Sequence, residues 1–218
     1  MKKIIIFLMF VFAAFNAHAQ LANTKWKTTL KIDEEVPTLF DFGKDTLKLT
    51  RSANGAGIEN MTYTISDSTL TLKKTEGQSD CDNDVVGKYT FSIKGDQLSF
   101  KLLSDACYDR SSVLDNANCV KFTWPAEVNV DEAILKQYPG VYSMDEQHNI
   151  TISLENGKLM ADSKTNLAAK TRLYATGDTK FLLHLGEISL EFIKGADGSI
   201  SKFVVHENGK DYDWIKAK

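Results

Sequence analysis

Hydrophobic and polar residues alternate with a period of two along most of this chain, the signature of strands with one buried face. The pattern is clearest in the middle of the first half. Tyr89, Phe91 and Ile93 alternate with Thr90, Ser92 and Lys94, and Leu98, Phe100 and Leu102 restart the alternation after Gly95-Asp96. Gly tolerates positive φ and Asp bonds its own backbone, so this dipeptide predicts a hairpin turn. Further strands are expected over residues 26–33, 37–42, 46–50, 58–65, 69–73 and 119–124. Eight short strands joined by tight turns leave costly open edges unless the sheet closes, which predicts an eight-stranded barrel. Residues 126–130 form a linker after Pro125. Asp131 caps a short helix over 132–138, which Pro139-Gly140 ends. Alternation then resumes over 140–144, 149–154, 158–161, 171–175, 180–184, 187–193, 200–207 and 210–216, with Asn156-Gly157 as the strongest hairpin signal. The expected fold class is all-β: two small antiparallel eight-stranded barrels in tandem, over residues 20–125 and 131–218, with a short helix opening the second.

The N-terminus changes the picture of where the chain works. Lys2-Lys3, the apolar run 4–15 and Ala17-His18-Ala19 fit a cleaved signal peptide over residues 1–19. No Cys follows the cut to carry a lipid, so the expectation is a secreted or periplasmic protein without a membrane anchor. Loss of Lys2 and Lys3 takes the basic residues from 26 to 24 against 29 acidic ones, a net charge of −5. That mild acidity argues against nucleic acid as a partner. Export permits a disulfide among Cys81, Cys107 and Cys119. Cys81–Cys107 is preferred and Cys107–Cys119 is the competitor. Their spacing does not suggest zinc, and neither a metal nor a cofactor is expected.

Candidate chemistry gathers where the alternation breaks. Ser104 to Arg110 carries an acid, a thiol and a guanidinium directly after a hairpin, at the end of the expected barrel. Asp105 and Arg110 could pair at the barrel mouth, with Arg110 clamping a carboxylate or sulfate, or Arg110 could close the barrel end by packing on Trp26 while Asp105 caps a helical turn. Trp26, Tyr89, Phe91, Phe100 and Trp124 could line a ligand cavity or fill the core. Together with Asp105 and Arg110 they form the candidate ligand-binding set. His184 and His206 could face one another beside Glu187 or Glu207, but their spacing fixes no metal site. No pair of carboxylates can be assigned to glycoside chemistry.

Two family likenesses follow from these residues. Trp26, Gly87-Lys88-Tyr89-Thr90-Phe91, Gly95-Asp96 and Asp105-Ala106-Cys107-Tyr108-Asp109-Arg110 make residues 21–124 resemble bacterial lipocalin-like domains. Leu135, Tyr138, Gly140, Tyr142, Asn156-Gly157-Lys158-Leu159, Phe181, Glu191-Phe192, Asp197-Gly198 and Val205-His206-Glu207-Asn208-Gly209 make residues 131–218 similar to a C-terminal domain of unknown function. That domain is appended to secreted penicillin-binding-protein-like serine hydrolases, and the resemblance implies a small lipocalin-like accessory barrel. The hydrolase motifs themselves do not accompany it. Ser199-Ile-Ser-Lys202 fits Ser-x-x-Lys by letters only, because it follows a turn and enters a strand instead of opening a helix. The expected function is therefore an exported, non-enzymatic binding protein for a small apolar or amphipathic ligand, or for a protein partner in the cell envelope. The alternatives are an accessory module for a separately encoded serine hydrolase, and a small barrel enzyme, an isomerase or hydrolase, using Arg110, Asp105 and Tyr89.

Overall fold

A computed structural model describes residues 20–163, 170–184, 186–207 and 209–217. The expected signal peptide, residues 1–19, lies outside them. The first barrel is a closed meander of eight antiparallel strands: β1 (Thr24–Lys31), β2 (Glu35–Phe42), β3 (Thr46–Arg51), β4 (Gly57–Ser66), β5 (Thr69–Gly77), β6 (Val86–Lys94), β7 (Gln97–Ser104) and β8 (Asn118–Phe122). Pairing of β8 with β1, Trp26 opposite Lys121, removes the free edge. Alternation decides what lies inside. Trp26, Phe40 and Leu49 stand opposite one another across β1, β2 and β3, and all three are buried. Phe91 opposes Phe100 on the next hairpin, and Phe40 stacks on Phe100 at 6.1 Å across the interior. The one helix between these strands, α1 (Tyr108–Leu114), sits between β7 and β8. The alternation contains no helical period there, and the helical turn expected behind Asp105 is capped by Cys107 instead.

The second unit opens with α2 (Glu132–Leu135), whose first turn is capped by the Asp131 carboxylate accepting from the Ala133 amide at 2.7 Å. Among the described residues nine strands follow: β9 (Gly140–Ser143), β10 (Asn149–Glu155), β11 (Lys158–Asp162), β12 (Thr171–Arg172), β13 (Tyr174–Ala175), β14 (Lys180–Leu183), β15 (Ile188–Lys194), β16 (Ile200–Glu207) and β17 (Lys210–Lys216). They form a nearly closed barrel in the order β12-β11-β10-β9-β17-β16-β15-β14-β13. The ninth strand arises because the segment read as one strand, 171–175, splits at Leu173. Thr171 and Arg172 pair with β11, whereas Tyr174 and Ala175 pair with β14, so the two sheet edges are consecutive in the chain. Buried Leu173 and its amide, donated to the Leu159 carbonyl at 2.9 Å, seal the seam. The expected Asn156-Gly157 turn joins Glu155 to Lys158 with both central residues at positive φ, the geometry that a two-residue hairpin needs. An aromatic core of Tyr138, Tyr142, Phe181, Phe192 and Phe203 fills the interior.

The second barrel leans on the outer face of β1 to β3. Leu39 points away from the first core yet is buried there. Glu187 donates its amide to the Ser52 carbonyl at 2.7 Å and its carboxylate pairs with Lys27. A Cβ on Gly186 would meet the Ser52 and Ala53 carbonyls at 2.7 and 2.8 Å, so only glycine allows this approach. His184 is sandwiched between Tyr174 at 3.7 Å and Trp124 at 4.4 Å, which links the last residues of the first barrel to the second.

Cys81 and Cys107 form a disulfide and Cys119 is a buried free thiol, pushed up to about 12 by burial. The bridge closes a loop with a sequence separation of 26. Chain-entropy reasoning makes it worth about 3–4 kcal/mol. Reduction is expected to lower the melting transition of the first barrel and leave that of the second in place, as read by calorimetry with and without a thiol reductant. An unchanged first transition would contradict the stapling role.

Candidate functional site

One end of the first barrel is not filled by its core. Between the ends of β1, β3 and β4 and the underside of α1 lies a cavity of about 480 Å³, a size typical of small-molecule sites. Leu30, Leu49, Ile58, Met61, Val113 and Leu114 give it an apolar wall, while polar and charged residues such as Lys31, Arg51, Glu59, Asp109 and Arg110 line the rest. A seven-residue helix has no stability of its own, so the way α1 is held determines the cavity.

The hold is electrostatic and covalent. Arg110 points from α1 into the barrel and is only 3 % exposed. Its guanidinium forks onto Asp105, with Nε to Oδ2 at 2.6 Å and Nη2 to Oδ1 at 2.9 Å, and Nη2 also donates to the Val85 carbonyl at 3.1 Å. Tyr89 donates its hydroxyl to Asp105 Oδ2 at 2.6 Å, and the Cys107 amide donates to Oδ1 at 2.9 Å. The half-cystine Cys107 caps α1, its Sγ accepting from the Arg110 amide at 3.4 Å. The disulfide then ties α1 to the loop before β6, where the Asp80 amide donates to Asp109 at 3.0 Å. Gly87 is required by close approach: a Cβ there would fall 2.8 Å from Asp105 Cγ and 3.0 Å from Arg110 Nε.

The protonation states follow from this packing. Burial pushes the Asp105 carboxyl up, but Arg110, Tyr89 and the Cys107 amide outweigh it and hold it below the usual carboxylate range. Burial, reinforced by the Asp105 carboxylate, drives the Tyr89 phenol far above its ordinary value. Neither group is suited to exchanging protons near neutral pH. Two further charged side chains are buried near the same end. Glu59 accepts from the Ser79 hydroxyl, and Lys74 donates to the Ser79 carbonyl and, at 3.2 Å, to that of Cys81. At this end of the barrel two buried polar atoms lack a hydrogen-bond partner among the described residues: Glu59 Oε1 and Arg110 Nη1. Both residues line the cavity. A buried polar atom left unpaired costs about 1–3 kcal/mol, so two such atoms at one cavity mark it as a place where something can bind.

The structure sorts the sequence candidates into three groups. Trp26, Tyr89, Phe91 and Phe100 belong to the core of the first barrel. Asp105 and Arg110 close the barrel end, and Arg110 alone of the set lines the cavity. Trp124 lies beyond β8 and stacks on His184 in the cleft between the barrels. His206 pairs with Asp211 at 2.7 Å, whereas His184 lies in the aromatic stack, its pKa lowered by burial and by Lys25 and Arg172. Glu59 and Lys74 were missed by sequence reasoning, although the signal was present. Glu59, Met61 and Tyr63 occupy the inward positions of β4, and Leu70, Leu72 and Lys74 those of β5.

Truncating Asp105 to alanine would strand the Arg110 guanidinium in the interior, and is expected to cost about 3–5 kcal/mol in denaturant unfolding. A loss below about 1 kcal/mol would mean that the pair is not buried. Because folding holds the Asp105 carboxyl below its ordinary value, its contribution is complete above the unfolded carboxylate pKa of about 4. It disappears as pH falls through the lower folded value, which an acid titration of the wild type against Asp105→Asn can read.

No family model and no curated protein matches this chain.

Proposed function

We propose that this protein is an exported, non-catalytic binding protein that holds a small amphipathic molecule at the α1 end of its first barrel. The observation that carries the reading is the cavity of about 480 Å³ with an apolar wall. At its polar end an unpartnered donor, Arg110 Nη1, and an unpartnered acceptor, Glu59 Oε1, stand on side chains that are both buried. Arg110 and Lys74 balance Asp105 and Glu59 in charge. A fully charged head group would therefore gain little here, and a neutral group that both donates and accepts, such as a primary amide, fits best. An aliphatic tail would lie among Leu30, Leu49, Ile58 and Met61. The signal peptide read in residues 1–19 and a disulfide of the kind that persists in oxidising compartments support export. The resemblance of residues 21–124 to lipocalin-like domains supports a binding role for the barrel.

Octanamide is expected to bind the full chain saturably at one site in calorimetric titration. Val113→Trp places an indole from α1 into the cavity at a half-exposed position, and should weaken that binding at least ten-fold while the melting temperature stays within a few degrees. Absence of saturable binding, or binding indifferent to Val113→Trp, would overturn the proposal.

A further inference from the structure

The second barrel has an opening of its own. Where β10, β11, β15, β16 and β17 border one end, they enclose a cavity of about 570 Å³. Ile150, Ala161, Leu183, Leu190, Val205 and Trp214 line it, and every one of these is buried. Asn54, Gly55 and Ala56 of the loop between β3 and β4 of the first barrel, with Gly57 at the start of β4, form another part of the wall. The two barrels are held at this approach by the Glu187 amide on the Ser52 carbonyl and by the lack of a side chain at Gly186.

Its chemistry differs from that of the first cavity. Among the described residues no lysine, arginine or histidine lines it, and its one charged group is Glu207. An anion brought here would lose its water, gain no cation and meet a carboxylate, a balance that excludes it. A plain hydrocarbon would satisfy the wall but leave one group unanswered. The indole N–H of Trp214 is buried with no hydrogen-bond partner among the described residues, while its ring backs onto Phe203 at 5.8 Å in near-parallel stacking. An indole N–H is a donor only, so its partner must be an acceptor.

We infer that the second barrel contains a separate site for an uncharged, largely apolar molecule carrying one hydrogen-bond acceptor, such as an ester or ketone. The site is completed by the loop of the first barrel, so the tandem arrangement builds a cavity that the second barrel does not enclose alone.

The test uses the full chain carrying Val113→Trp, which fills the first cavity and removes it from the readout. Nile red, an uncharged dye with a carbonyl acceptor, should bind this variant saturably with a rise in emission. Methyl decanoate should displace it and decanoate at pH 8 should not. Adding Ile188→Trp, at a half-exposed position on the cavity wall, should abolish binding. Trp214→Phe keeps an aromatic ring but removes the donor, and should weaken methyl decanoate about five-fold, the worth of one hydrogen bond. No saturable Nile red binding, displacement by decanoate as effective as by its ester, or binding unaffected by Ile188→Trp in a folded chain would each overturn the inference. None of these outcomes depends on whether octanamide binds the first barrel.

Discussion

The buried fork between Arg110 and Asp105 fixes the position of α1, and with it the shape of the first cavity. A helix this short forms only where tertiary contacts hold it. Two features hold it in complementary ways. The disulfide limits how far the unfolded chain can spread, and the fork sets orientation, because a bidentate guanidinium–carboxylate pair accepts few geometries. Tyr89 and Gly87 serve the same pair, one by donating a hydroxyl and the other by leaving room. Exposed pairs such as Lys136–Glu132 are screened by solvent and determine nothing comparable.

The two barrels divide a common architecture into two kinds of interior. In each, alternation fills the middle with aromatic side chains, and each has a cavity at one end. In the first, the inward positions near that end carry Glu59 and Lys74, and α1 adds Arg110, so charge is gathered under a helical cover. In the second, the corresponding space is mostly apolar, with Asn54, Glu207, Tyr212 and Trp214 as its polar residues and no basic side chain among the described residues. The β3–β4 hairpin touches both: Leu49 and Met61 face the first cavity, and residues 54–57 face the second. This shared element is the physical reason to consider the tandem as one unit.

Much of the fold was legible because period two and turn chemistry speak together. Asn156-Gly157 and Gly95-Asp96 fall where the hairpins turn, and Asp131 caps the helix that it was expected to cap. The Cys81–Cys107 pairing was favoured over its competitor and is the one formed. The site was less legible, for two reasons. The cap of α1 is a half-cystine, which sequence rules do not count as a cap, and its seven residues are too few to show a helical period. Glu59 and Lys74 look like ordinary surface charges unless the inward count is carried back to Glu59 near the start of β4 and forward past Leu72 to Lys74 in β5. The aromatics, by contrast, were conspicuous in sequence and turned out to be core. Large rings bury most surface, so they mark the packed interior more reliably than a binding space.

The central claim is that α1, held by the fork and the staple, covers a ligand space at the end of the first barrel. Amide hydrogen exchange followed residue by residue, with and without octanamide, addresses it most directly. The account predicts added protection confined to α1, the ends of β3 and β4, and the loop 78–81. Protection unchanged in these segments, or appearing instead on the outer strand faces, would contradict it.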